Sequence, residues 1–173
     1  ANLARELQPR GHTIDIIAPS GSQLGDLSII QLPGELQITA QTQANASPIM
    51  MPSNPVLGNM WAKAREIQGE YQMIFNTAFD WLPFYLTPFF HIPIAHFVSM
   101  GAQIEAINLA IERVAIDFPG TIGVCTRTQA ETFSFADLCL PIGGSGVDPA
   151  LYEYCDSPEN ELAWLGRISP EKA

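Results

Sequence analysis

The feature that most constrains this chain is an alternation of two kinds of segment. Short apolar runs rich in β-branched residues, "TIDIIAP", "LSIIQLPG", "QMIFNTAF", "IPIAHFVSM", "TIGVCTR" and "DLCLPIGG", are separated by stretches with helical spacing. Runs this short, bounded by Gly, Pro, Ser or Asn, have the length of strands rather than helices. Strands that alternate with helices build βαβ units, so the expected fold is α/β: a Rossmann-like parallel sheet with helices on both faces.

Local signals set the element ends. The opening helix, with Leu3 and Leu7 at helical spacing, should stop at Pro9-Arg10-Gly11. In "AQIEAINLAIERVAIDF", Ile104, Ile107, Ile111 and Val114 share one helical face. "VLGNMWAKAREIQGEY" repeats the pattern through Val56, Met60, Ala64 and Ile67. A short helix over "TQAETFSF" is expected to take Thr128 as its cap. Between the second strand and the second helix lies "ELQITAQTQANASPIMMPSN", polar, Gln-rich and without a period. It reads as a long loop, and loops of that length in compact domains are often functional.

Composition narrows the class. The 173 residues are 47% hydrophobic and 15% charged, enough for one well-buried domain and unlike a disordered chain. The formal charge of −10 argues against nucleic-acid binding, which needs a basic face, and suits an acidic, soluble surface. Cys125, Cys139 and Cys155 form no C-x-x-C pair; their odd number and wide spacing fit reduced thiols and a cytoplasmic location. The longest apolar stretch, "WLPFYLTPFFHIPIAHFV", is broken by Pro83, Pro88 and Pro93, so no transmembrane segment is expected. No His, Cys, Asp or Glu pattern has metal-ligand spacing, and no cofactor fingerprint of the G-x-G-x-x-G type is present. The chain opens in mid-helix without an initiator Met, which reads as a truncated start.

Open parallel sheets bind ligands at the carboxyl ends of their strands. The residues just after each strand are therefore the candidates: Asn76, Thr77, Asp80 and Trp81; Ser99, Met100 and Gly101; Thr126 and Arg127; then Gly143, Gly144, Ser145 and Gly146. A carboxylate, an indole, hydroxyls and a guanidinium along one edge suit a polar small molecule with a ring. Each has a structural alternative. Asp80 is well placed to cap the next helix, Trp81 to join a core full of aromatics, His96 to be a satisfied core histidine, and His12 to serve a turn.

Near the chain's end, "LAWLGRISPEKA" combines several anion-binding signals. Gly166 lets a bulky anion approach the backbone. Arg167 offers a rigid fork of donors and Lys172 a mobile point charge. Pro170 pre-sets the turn into a helix, whose N-terminus itself favours anions.

"ANLARELQPRGHTIDIIAP", "IGGSGVDPALY" and "LAWLGRISPEKA", in this order and spacing, resemble the retaining glycosyltransferases of family 4, which have the two-domain GT-B architecture. "AQTQANASPIMMPSNPVLGNMWAKAREIQ", "FDWLPFYLTPFF", "PIAHFVSMG" and "DFPGTIGVCTR" are similar to a narrower cyanobacterial group described as acting from UDP-glucose on tetrahydrobiopterin. The resemblance implies that residues 1–162 are an acceptor-side domain truncated at its start. It implies that residues 163–173 are the first strand and turn of a donor-binding domain. The substrates would be a nucleotide sugar, UDP-glucose, and a small acceptor such as a pterin, with no cofactor. Gly166, Arg167 and Lys172 would bind the donor phosphates. Ser99 and His96 would hold the catalytic place, and Asn76, Asp80, Trp81, Met100 and Arg127 the acceptor.

Two departures matter. Relatives carry a His where this chain has Ser99, with His96 three residues earlier, and another His where it has Asn76. Such a piece, lacking most of a donor domain, is expected to be inactive alone. The alternatives are a ligand-binding or regulatory domain that kept the fold, and a Rossmann-like sugar-nucleotide enzyme.

Overall fold

The computed structural model describes residues 2–38, 40, 43–144, 146, 149–151 and 154–157. The opening helix α1 (Asn2–Leu7) runs into a 3-10 turn at Gln8–Arg10 and ends at Gly11, whose φ of 90° only glycine adopts without strain. Strands β1 (Ile16–Pro19) and β2 (Ile29–Leu32) form a parallel pair, Ile16 beside Ile29 and Ala18 beside Gln31. Helix α2 (Val56–Ile67) packs on both of them.

A second parallel sheet follows in sequential order: β3 (Ile74–Asn76), β4 (Ile94–Val98), β5 (Ile122–Val124) and β6 (Leu140–Pro141). Its connections run through α3 (Trp81–Leu86) with a 3-10 turn at Thr87–Phe89, α4 (Glu105–Asp117) and α5 (Arg127–Ala130). The architecture is thus α/β and Rossmann-like, with parallel strands flanked by helices, as the alternation requires. Asp15, ahead of β1, accepts a 2.6 Å hydrogen bond from the Tyr71 hydroxyl ahead of β3, tying the two sheets at their amino ends. Hydrogen bonds from Ser28 and Tyr71 hold the Asp15 carboxyl below its ordinary range, and the Asp15 bond pushes Tyr71 up to about 12.

The core lies between β4–β5 and the α3–α4 pair. Ile104, Ile107, Ile111 and Val114, the expected face of α4, are all buried with Val98, Ile122 and Val124. Each such side chain contributes about 1.5–3 kcal/mol on burial. Helix α2 differs in detail: Val56 is buried, but its other buried residue is Trp61, packed edge-on against Phe90 at 5.3 Å, outside the four-residue apolar series. The cap of α5 is Thr126, whose Oγ1 accepts from Gln129 N at 3.0 Å; Thr128, expected in that role, is exposed. That shift by two residues follows from the strand ending at Val124, one turn earlier than the polar run suggests.

The long loop after β2 is clipped at its base. Glu35 N donates to Asn54 O at 2.7 Å and Val56 N to Glu35 O at 2.9 Å, so the chain leaves and returns at one point. Its described residues reach Asp80 through Gln37 and the start of α4 through Asn45. At its far side the Asn45 carbonyl accepts from Glu105 N, and Asn45 Nδ2 donates to Gln103 O, supplying the N-terminus of α4 with a partner that Ile104 cannot offer. Among the described residues no helix is long and apolar enough to cross a membrane.

Candidate functional site

The candidates after β3 separate in the structure. Asn76, the last residue of β3, is buried and closes on its own loop: its Oδ1 accepts from Ala78 N and its Nδ2 donates to Ala78 O, both at 3.1 Å. The same Nδ2 donates to His96 Nδ1 at 3.1 Å. On the other side of the imidazole, Nε2 lies 3.0 Å from Thr87 Oγ1, and the Thr87 hydroxyl donates to Pro83 O. Because the hydroxyl proton is spent on Pro83, Thr87 accepts from His96. The ring is therefore neutral, protonated on Nε2, with Nδ1 as acceptor. Phe84 stacks on it at 4.7 Å.

This arrangement gives both Asn76 and His96 structural partners. His96 is 1% exposed, with both nitrogens engaged; burial pulls its pKa down to about 4. It is the satisfied core histidine. Asn76, expected at the acceptor, spends its amide inside the same network.

Asp80 does two things. Its Oδ1 caps α3 by accepting from Leu82 N at 3.0 Å, and its Oδ2 accepts from Gln37 Nε2 at 3.0 Å. With Phe79 it forms one wall of a cleft of about 260 Å³; Pro19 at the end of β1, Ile38 of the long loop, and Val56 and Met60 of α2 are on the others. Trp81, adjacent in sequence, goes elsewhere. It stacks on Tyr85 at 4.3 Å and lines a broader apolar groove between α3 and α4, of about 620 Å³, with Leu109 and Phe118. The helical turn that begins at Asp80 points consecutive side chains in different directions, so these two acceptor candidates line different clefts.

The edge at β4 and β5 is closed by a residue that no sequence motif marked. Gln129 of α5 donates to Val98 O at 2.7 Å and Met100 O at 2.8 Å, and its Oε1 accepts from Cys125 N at 2.7 Å. Met100 is thus held through its backbone, with its side chain half-buried, while Ser99 stands exposed just past β4. Arg127 is not turned to the cleft. Its guanidinium pairs with Asp137 at 3.0 Å and Glu131 at 3.7 Å on the surface. Gly143 and Gly144 are exposed beyond β6. Gly166, Arg167 and Lys172 lie outside the described residues, as do Ser145, Val147 and Asp148.

Gln37, Phe79, Thr87 and Gln129 shape this edge without having been singled out. A lone Gln or Thr carries no spacing signal; only the three-dimensional partners reveal it. All three cysteines are free, and burial raises the Cys139 thiol above its ordinary value. Among the described residues no cluster of three or more His, Cys, Asp or Glu could hold a metal ion. No protein-family model matches the chain, and no curated protein matches it either.

Proposed function

We propose that this chain is the acceptor-side part of a retaining glycosyltransferase, transferring glucose from UDP-glucose to a small ring-bearing acceptor such as a pterin. The observation that carries the reading is the run Gly166-Arg167…Lys172, placed in sequence directly after a parallel α/β domain. On this reading an Arg fork and a Lys charge, five residues apart in sequence, balance the charge that develops on a leaving diphosphate. The carboxyl edge supplies the other half of the task. Ser99 offers an exposed hydroxyl there, and the cleft beside Asp80 offers apolar walls for a ring. Catalysis on this account is positioning and electrostatics, with no buried proton relay, since His96 is spent on structure. The free cysteines suit a reducing compartment, and we place the protein in the cytoplasm.

A second reading has one observation in its favour. The polar groups nearest the expected reacting position, His96 and Asn76, are consumed internally, as suits a ligand-binding domain that lost its chemistry. Substitution separates the two. In the longest natural form of the protein that carries these residues, Arg167→Ala and Lys172→Ala should each lower turnover about 100-fold, the loss of roughly 3 kcal/mol of leaving-group stabilisation. Arg167→Lys should recover only part of it. Absence of any transfer in the parent protein favours the binding domain, and unchanged turnover in both variants removes the phosphate assignment.

A further inference from the structure

Gln37, in the wall of the cleft beside Asp80, carries an unmet hydrogen bond on a buried atom. Gln37 Oε1 is sealed from water and accepts nothing among the described residues. The orientation of this amide is not arbitrary. Its nitrogen donates to the Asp80 carboxylate at 3.0 Å and to Met51 Sδ at 3.3 Å. Turning the amide over would set its oxygen against a carboxylate, so Oε1 must occupy the remaining side. A buried carbonyl without a donor is costly, and native structures retain few of them without cause.

We propose that this cleft binds a small, largely apolar molecule bearing an N–H or O–H group, and that Gln37 Oε1 accepts that hydrogen. The position agrees with the site preference of parallel α/β sheets, since the cleft lies past the ends of β1 and β3. A volume of about 260 Å³ suits a single or fused small ring. Val56, Met60 and Phe79 give it apolar walls, and Asp80 gives it the wrong charge for an anion. The ligand is therefore neutral or cationic. Access to Oε1 requires neighbouring side chains to yield, and two of them are methionines, Met51 on the amide nitrogen and Met60 in the wall. Unbranched thioethers rearrange at little cost. The assignment does not depend on sugar transfer: a donor diphosphate would be repelled here, whereas a donor-bearing ring would be held in an enzyme or a binding domain alike.

The test uses a matched pair of probes, indole with its N–H and benzofuran with an oxygen in that place, titrated into protein labelled at the methionine methyls. Indole should bind about tenfold more tightly and shift Met51 and Met60, as one buried hydrogen bond of ordinary strength predicts. Gln37→Met should reduce indole to the affinity of benzofuran while leaving benzofuran unchanged. Equal affinities of the two probes for the parent protein would overturn the proposal, as would a preference that survives Gln37→Met. If that variant fails to fold, intermolecular NOEs in the parent protein decide. Contacts from indole to Met60 and Phe79 support the site, and contacts confined to the Trp81–Leu109 groove overturn it.

Discussion

Neutral His96 makes the stability of this domain depend on pH in a window where few other groups titrate. In the folded chain its pKa is about 4, against 6.5 for an unperturbed imidazole. Between those values the unfolded chain binds the extra proton and the folded chain does not, so stability rises with pH. The contribution is fully present above pH 6.5 and falls away as pH drops towards about 4. At about pH 5 the unfolded imidazole is almost fully charged and the folded one about a tenth charged, a loss of roughly 2 kcal/mol relative to neutral pH. Burial is the cause, and the local geometry offers the charged ring no relief. A proton on Nδ1 would face the Asn76 amide hydrogens at 3.1 Å, donor against donor, around a ring that is almost fully buried. Urea denaturation of the chain and of His96→Leu, from about pH 7 to pH 5, reads this directly. At pH 7 the Leu variant should be less stable by about 1–3 kcal/mol, because Asn76 and Thr87 each lose a partner. Towards pH 5 the gap should narrow by about 2 kcal/mol, because only the parent titrates there. Asp15, whose carboxyl is held below its ordinary value, loses its contribution at still lower pH and does not confuse the window. A gap that stays constant across the range would refute the neutral, doubly bonded imidazole.

The other expectations concern places where one residue carries a local structure. Gly34→Ala should destabilise by about 3 kcal/mol or more in thermal or urea unfolding, because φ is +147° and a Cβ would lie 2.6 Å from Val56 Cα at the base of the long loop. Thr126→Ala should cost about 1 kcal/mol while Thr128→Ala costs almost nothing, since only the former caps α5. Gln129→Leu should cost about 2 kcal/mol or more and speed amide exchange at Cys125, whose N–H loses its 2.7 Å partner.

The legible part of this chain is the part governed by period and punctuation. Apolar runs marked every described strand, and the spacing of Ile104, Ile107, Ile111 and Val114 identified the buried face of α4 because a helix repeats its surface every turn. The stop at Gly11 was legible for a backbone reason, its positive φ. Direction was less legible. Asp80 and Trp81 are neighbours in sequence but enter different clefts, because the rotation of α3 is set by packing against α4. His96 could be read as catalyst or core; what decides is the pair Asn76 and Thr87, which approach it from elements 20 and 9 residues away. Gln37 and Gln129 were invisible for the same reason. A glutamine acquires a role only through distant partners, Asp80 for one and the ends of β4 and β5 for the other.

The central claim, sugar transfer with retained configuration, is tested most directly by the anomeric state of the product. The longest natural form of the protein carrying these residues is incubated with UDP-α-glucose and a panel of hydroxyl-bearing ring acceptors, pterins among them, and proton NMR follows the anomeric signal as UDP is released. The account predicts an α-linked glucoside from the first turnover, with release of UDP abolished or strongly reduced by Arg167→Ala. A β-linked product, or binding of the nucleotide sugar with no transfer to any acceptor, would contradict it.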